Sequence, residues 1–356
     1  MNYDMEKLIN RPIFFEDNRV YRVYKGGKGI SLFRNREEEE DGFFPEEWIA
    51  SSVKAINPKY FGERDGVSVV EGTDIFFDDL IKSYPEVLGG RKYDCLVKYL
   101  DSAIRLPVQV HPTKEFAKKH FNSEYGKTEA WLVLATRPDA KIYFGFNRPV
   151  TKEELSELEN RSGTEKDVME SVLSSVEAKV GDLYIINAGL IHAIGAGCTI
   201  LEVQEPTDFT IQPERLCGEY RISYEEEYIG LDKSTALDCF DYSLVGETAL
   251  KSARIQPKIA FDDGKVKKEI LIDYSVTPCF GENRITVKDG GRYAMPFAPS
   301  VWICVGGKGK IVGDGYEREI STGDYFFLPY TAEGKFEVVA EDEATLIECL
   351  PGKGER

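Results

Sequence analysis

The sequence predicts a mainly β chain folded as two related barrels, and three observations lead to that class. Helical periodicity is confined to a few short stretches. Most of the rest reads as short alternating strands punctuated by glycine, which favours a sandwich or barrel. One β unit also occurs twice. Val180-Gly181-Asp182-Leu183-Tyr184-Ile185-Ile186-Asn187 and Thr322-Gly323-Asp324-Tyr325-Phe326-Phe327-Leu328-Pro329 each set a Gly-Asp turn before a bulky strand that ends at a second turn. One copy in each half predicts duplicated barrels.

The elements follow in order. Phe76, Phe77, Leu80, Ile81 and Tyr84 recur at helical spacing, and Pro85 with Gly89 closes that helix. In Leu106-Pro107-Val108-Gln109-Val110-His111-Pro112 the strand period of two puts Gln109 and His111 on one face and the valines on the other. His120, in Phe116-Ala117-Lys118-Lys119-His120, falls on an exposed helix. A second strand, Gly126 to Leu134, carries Lys127, Glu129 and Trp131 on one face. Thr151-Lys152-Glu153-Glu154 has a capping-box pattern, and Val168, Met169, Val172, Leu173 and Val176 continue an apolar helical face, so 151–178 reads as a helical insertion. A third strand runs from Gly181 to His192, and a fourth, Ile200 to Gln204, points Glu202 and Gln204 the same way. Gly306, Gly307 and Gly309 fit a hairpin turn, and Glu37 to Glu40 a solvated loop.

Composition narrows the function. The 356 residues suggest two or three domains. Lys plus Arg number 45 against 62 Asp plus Glu, a net charge of −17, which argues against nucleic-acid and anionic-membrane partners. No apolar run approaches a bilayer span, and the first residues lack a secretory layout. Seven scattered cysteines without a C-x-x-C pair read as reduced thiols, so the expected location is the cytoplasm.

The chemistry gathers on the inward strand faces. Only three histidines occur, His111, His120 and His192, and none follows His192. Five residues past Asn187 stands His192, whereas five past Pro329 stands Gly334, so only the first barrel can hold a histidine-ligated metal. Gln109, His111, Glu129 and His192, with Lys127 and Glu202 nearby, offer two imidazoles, a carboxylate and an amide oxygen to a borderline-soft divalent cation. Zinc fits that set best, and Fe²⁺, Mn²⁺ or Co²⁺ can use the same ligands. Gly126-Lys127-Thr128 mimics the end of a phosphate-binding loop, but Phe121 stands where that motif requires glycine.

Gln109-Val110-His111-Pro112, Gly126-Lys127-Thr128-Glu129 and Ile191-His192-Ala193-Ile194-Gly195-Ala196-Gly197 together resemble the signature of type I mannose-6-phosphate isomerases, members of the cupin superfamily. Leu96-Val97-Lys98-Tyr99-Leu100-Asp101 resembles the family's strand with its lysine, and the likeness runs over roughly residues 40 to 210. It implies two cupin-type jelly-roll barrels with a small helical insertion: an N-terminal catalytic cupin over 1–150 and 179–215, the insertion over 151–178, connecting strands and loops over 216–290, and a second, metal-free barrel over 291–356. It further implies a zinc-dependent aldose–ketose isomerase that interconverts mannose 6-phosphate and fructose 6-phosphate, with one Zn²⁺ per chain on Gln109, His111, Glu129 and His192. The partner is then a small phosphorylated sugar, and the chain a monomer or homodimer. Lys98 and Lys127 match lysines that line the family's site, and Glu202 and Asp208 match acidic positions after the histidine. One position departs: Gln212 stands where the family usually has an arginine, and Arg215 lies three residues on.

The expected reaction moves a proton between C2 and C1 through an enediol. Lys127 polarises the substrate oxygens, Glu202 assists proton transfer with Asp208 as the competing base, and Lys98 and Arg215 orient the sugar or grip its phosphate. Two alternatives accompany this reading: an isomerase for another sugar or sugar phosphate, motivated by Gln212, and a non-catalytic sugar-binding cupin that keeps the metal.

Overall fold

Strand alternation decides how the two halves meet. The computed structural model describes residues 3–37, 40–57, 62–313 and 315–353. Its first half builds an antiparallel sheet in the order Arg19–Val20, Glu46–Ile49, Leu96–Asp101, Cys198–Gln204, Glu129–Thr136, Leu183–Ile186. A smaller sheet of Leu173–Glu177, Lys141–Phe146 and His192–Ile194 closes over one face. Trp131, Val133 and Ile200 share a buried cluster there with Ile142, Phe144 and Ile194.

The second half repeats this plan. Lys258–Asp262, Val266–Ile272, Gly281–Lys288, Glu343–Leu350 and Ser300–Gly313 lie side by side. The long Ser300–Gly313 strand also pairs with Tyr325–Leu328, Tyr316–Ser321 and Glu337–Val339. The alternate residues of both sheets face each other. Val97, Tyr99, Ala130, Leu201 and Val203 pack in one cluster with Val301, Ile303, Phe327, Ile347 and Cys349. Each such buried side chain contributes about 1.5–3 kcal/mol, so the seam between the barrels is itself a core. The expected class, a mainly β chain of two cupin-type barrels, is the architecture observed.

The repeated unit has the same geometry twice. Gly181 and Gly323 take φ of 88° and 95°, and each Asp accepts a hydrogen bond from the N–H three residues before it, Lys179 to Asp182 at 3.1 Å and Ser321 to Asp324 at 2.8 Å. Four-residue strands, Leu183–Ile186 and Tyr325–Leu328, follow.

Three expectations are corrected. The capping-box helix ends at Ser162, and Leu173–Glu177 is a strand paired with Lys141–Phe146. Its apolar residues fit helical spacing by coincidence: Val168, Met169 and Val172 fill a core under a loop and a short 3₁₀ turn. The strands between 258 and 288, expected as connections, belong to the second sheet. Gly306 and Gly307 lie inside the Ser300–Gly313 strand at a register shift, not at a hairpin turn. Gly307 has φ of 71°, and a Cβ there would meet the Glu343 carbonyl, so the bend needs glycine. The helices Phe77–Ser83 and Lys114–Phe121 form as expected. Of the acidic run, Glu38 and Glu39 lie outside the described residues. Among the described residues no helix is long and apolar enough to cross a membrane.

Candidate active site

Register gathers the polar groups of the first barrel. Directly opposed residues of antiparallel strands share a face. Lys98 opposes Glu202, Trp131 also opposes Glu202, and Trp48 opposes Lys98. Gln109 and His192 exchange backbone hydrogen bonds at 2.9 Å in each direction, which brings the Gln-x-His segment beside the second histidine. Val108 and Val110 point away into a separate apolar cluster, as the alternation requires.

His111, Glu129 and His192 converge. One donor atom from each lies within 4.8 Å of the other two, and all three side chains are buried. His111 Nε2 is 3.2 Å from one Glu129 oxygen and His192 Nε2 is 3.5 Å from the other. The second ring nitrogens are held from behind, His111 Nδ1 by the Phe209 carbonyl at 3.0 Å and His192 Nδ1 by the Leu190 carbonyl at 2.8 Å. That anchoring fixes the tautomer and turns both Nε2 lone pairs toward Glu129. His192 Nε2 and Glu129 Oε2 have no hydrogen-bond partner among the described residues. Burial, aided by Lys127, depresses His111 to about 3, and burial also lowers His192, so both rings are neutral. Burial pushes Glu129 up, and beside neutral rings the Lys127 ammonium at 3.4 Å is the charge that offsets it and lowers the carboxyl. Neutral imidazoles, an ionised carboxylate and unfilled buried lone pairs are the donor set a divalent cation uses.

A cavity of about 330 Å³ opens beside this cluster, lined by Gln109, Lys98, Lys127, Glu129, Glu202 and Asp208 among others. Lys127 Nζ lies 3.1 Å from His111 Nε2 and 3.4 Å from Glu129. Lys98 Nζ sits between Glu202 at 3.3 Å and Glu46 at 3.5 Å. Burial would lower the Lys98 ammonium, yet those two carboxylates outweigh it and raise it. Glu202 goes the other way: burial and then the Glu129 charge push it up to about 7, with Lys98 opposing. A buried carboxyl that titrates near neutrality, on the wall of a polar cavity, is equipped to give and take a proton.

Of the residues expected in the site, Gln109, His111, Glu129, His192, Lys98, Lys127, Glu202 and Asp208 gather around this cavity and its cluster. Asp208 spends both oxygens on Arg22, at 3.0 and 3.1 Å, and on the Ile56 N–H at 2.8 Å. Arg215 is corrected. It does not line the cavity; its guanidinium turns outward to Glu159 and to Asn160 at 2.8 Å, because the buried Glu159 carboxylate on the insertion helix draws it there. Gln212 does line the cavity, its amide donating to the Glu226 carbonyl at 3.3 Å.

Sequence reasoning missed Arg22 and Glu46. Arg22 Nε bonds Glu46 at 3.0 Å, and Glu46 also accepts from Tyr24 at 2.6 Å and Trp48 at 2.7 Å. Period two sets one glutamate of Glu46-Glu47-Trp48-Ile49 on each face, so it marks the pair and does not choose Glu46. Arg22 lies outside the strands and carries no such signal.

Comparison with known proteins places the chain in a family. No family model matches the chain. The mannose-6-phosphate isomerase ManA of Bacillus subtilis is 40% identical over 260 residues, 71% of this chain and 75% of that protein. The mannose-6-phosphate isomerase of Streptococcus mutans is 28% identical over 341 residues, 92% of this chain and 97% of that protein. A crystal structure of mannose 6-phosphate isomerase from Bacillus subtilis superposes with a TM-score of 0.74 at 21% identity, covering 95% of this chain and 99% of that one, which shows a common fold. With two barrels, a His-Glu-His cluster in the first, and a relative of that identity and extent, the chain belongs to the mannose-6-phosphate isomerase family.

Proposed function

We propose that this protein is a metal-dependent aldose–ketose isomerase that interconverts mannose 6-phosphate and fructose 6-phosphate by enediol proton transfer. The observation that carries the reading is the pairing, on one cavity, of a buried His-Glu-His donor set with a carboxyl poised near neutral pH. Family membership supports the substrate. A cytoplasmic location accords with the seven cysteines, all unpaired and buried.

His111, Glu129 and His192 would hold the cation, with the Gln109 amide oxygen as fourth ligand. Zinc suits these donors, and when bound it supplies a Lewis acid for sugar oxygens. The chain's own residues do the rest. Glu202, a group near 7, takes the C2 proton of the aldose and returns it to C1, while the O2 hydroxyl proton passes to O1. Lys98, kept ammonium by Glu46 and Glu202, hydrogen-bonds a sugar oxygen beside that carboxylate. Lys127 steadies the developing oxyanion. Asp208 holds Arg22 in the cavity wall instead of acting as base, since both its oxygens are occupied.

The test follows conversion of mannose 6-phosphate by metal-loaded and chelator-treated protein, with metal analysis of both. Turnover that is lost with the metal supports the reading; an inert metal-loaded protein ends it. Gln212 favours one second reading, an isomerase for a different sugar. Glutamine supplies no fixed charge for a phosphate, and Glu225 and Glu226 add carboxylates to the cavity. A panel of aldoses and their phosphates separates the two.

A further inference from the structure

One wall of the cavity comes from outside the barrel strands. Gln212, Ile222, Glu225, Glu226 and Ile229 line it, all from the stretch that follows Cys198–Gln204 and carries the short helix Tyr224–Tyr228. The barrel holds the near end of that stretch. Ile211 bridges Val110, and Glu214 accepts from Arg105 at 2.6 Å and from the Val108 N–H at 2.7 Å. Farther along, the stretch leans on the insertion helix Lys152–Ser162.

Glu159 of that helix is fully buried and does not line the cavity. One of its oxygens accepts from Arg215 Nε, the other from Lys233 Nζ. Arg215 precedes the Tyr224–Tyr228 helix and Lys233 follows it, so a single carboxylate fastens the wall on both sides of that helix. Its neighbours add to the grip. Ser162 Oγ accepts from the Arg215 N–H at 2.9 Å, and the Asn160 side-chain oxygen accepts from Arg215 at 2.8 Å and Lys233 at 3.3 Å. Within the wall the Gln212 N–H donates to the Glu227 carbonyl at 2.8 Å, and the Ile222 N–H to the Arg215 carbonyl at 3.0 Å. A shift of Arg215 or Lys233 is thereby passed to the side chains that face the cavity.

The insertion does not need this carboxylate to stay attached. Leu155 and Leu158 already share a buried apolar cluster with Ile211, Tyr228, Ala236 and Leu237. Desolvating an ion cluster costs about what its attraction returns, so such a cluster contributes orientation more than net stability. Glu227 cannot take its place: it lies 3.9 Å from Arg215 Nε, and among the described residues Lys233 pairs with no carboxylate but Glu159. We propose that Glu159 is a positioning residue for sugar binding. Through Arg215 and Lys233 it sets the wall that presents Gln212, Glu225, Glu226 and Ile229, and so sets substrate affinity without touching substrate or metal. This role rests on the isomerase reading, since the sugar is that reaction's substrate.

The experiment compares the metal-loaded full chain with Glu159→Gln and Lys233→Met, by initial rates on mannose 6-phosphate, metal analysis and hydrogen exchange. The expected result is a KM about tenfold higher in Glu159→Gln and about threefold higher in Lys233→Met, with kcat within about twofold and metal content unchanged. The double variant behaves as Glu159→Gln alone, because both changes release one clamp. Exchange quickens in peptides covering 212–229 and stays as in wild type around His111 and Glu129. Lys233 is partly exposed, so its variant folds even if thermal unfolding shows that Glu159→Gln does not. An unchanged KM, a fall in kcat without a rise in KM, or exchange unaltered over 212–229 would each overturn the proposal. A wild-type protein inert toward mannose 6-phosphate ends the isomerase reading alone. Exchange over 212–229 then decides whether Glu159 holds the wall: faster exchange confined to it upholds the clamp, and unaltered exchange removes it.

Discussion

The two barrels share a backbone plan and differ in a handful of side chains that face inward. Gln109, His111, Glu129 and His192 of the first correspond to Met295, Phe297, Ser300 and Gly334 of the second. Not one donor to a cation survives the change except the Ser300 hydroxyl, which is spent on the Phe297 carbonyl and Trp302. The Gly-Asp turn, the buried tryptophan and the outward apolar residues are kept in both. The fold therefore rests on positions that the chemistry does not use, and each pair of matched positions is an internal control. The largest effect is expected at the first pair. His111→Ala removes one of the three converging donors, so metal content falls toward zero and turnover falls by at least about 100-fold. Phe297→Ala leaves both unchanged. Metal analysis and initial rates on the two variants decide whether the barrels divide the work this way.

The glutamates opposite the two buried tryptophans, Glu202 opposite Trp131 and Glu348 opposite Trp302, sharpen the contrast. Glu202 and Glu348 are both buried and both raised by burial, with a lysine opposing the shift in each case. Only Glu202 shares a cavity with the donor cluster. Glu202→Gln is expected to lower kcat by about 10²–10⁴ while metal stays bound, and Glu348→Gln to leave kcat within about twofold. The pH profile follows from the sign of the shift. A base must be ionised to work, so kcat/KM falls as pH drops through about 7. Lys98→Met removes the ammonium that opposes the rise, and moves that limb to higher pH. A profile that does not move with Lys98 takes the base role away from Glu202.

A third pair lies on the seam. Val97 of the first barrel corresponds to Glu282 of the second, opposed to Val203 and Cys349 respectively. Neither Glu282 oxygen has a partner among the described residues, and burial raises its carboxyl to about 8. The folded state thus holds a proton that the unfolded state gives up at an ordinary glutamate pKa. The contribution of this one group to stability is greatest below that ordinary value, declines as pH rises from about 4.5 to about 8, and then levels off. Glu282→Val, which copies the first barrel, is expected to flatten that decline and to gain on the order of 3 kcal/mol above pH 8. Denaturant unfolding of both proteins at pH 5 and pH 8.5 measures it.

Legibility followed the same division. Positions set by strand period were readable: Gln109 and His111 on one face, Glu202 in step with Gln204, the repeated Gly-Asp turn. Groups brought in by irregular backbone were not. Arg22 enters the cavity wall from outside any strand, and Arg215 is drawn off by Glu159, a helix residue distant in sequence. The stretch from Val168 to Val176 satisfied helical spacing, and pairing of Leu173–Glu177 with Lys141–Phe146 overrode the pattern. A glycine cluster has the same composition in a turn and in a bent strand, so Gly306 and Gly307 could be assigned only once their partners, Thr345 and Ala344, were known.

The smallest predicted effect tests the correspondence itself. Asp182 and Asp324 each close a turn by accepting one backbone N–H, at 3.1 and 2.8 Å, and each turn carries a glycine at positive φ. If the two units are copies of one device, removing either carboxylate costs about 1 kcal/mol per lost turn hydrogen bond. Asp182 makes two further contacts, from the Tyr184 hydroxyl at 3.1 Å and the exposed Arg254 guanidinium at 3.5 Å, and Asp324 one, from the Ser321 hydroxyl at 3.1 Å. Asp182→Ala should therefore unfold at a denaturant midpoint equal to that of Asp324→Ala or slightly below it, and neither should alter metal content, because both carboxylates face their own turns and stand apart from the donor cluster. A lower midpoint for Asp324→Ala would mean that the shared sequence serves different loads in the two barrels, which is the part of the correspondence that geometry leaves to energy.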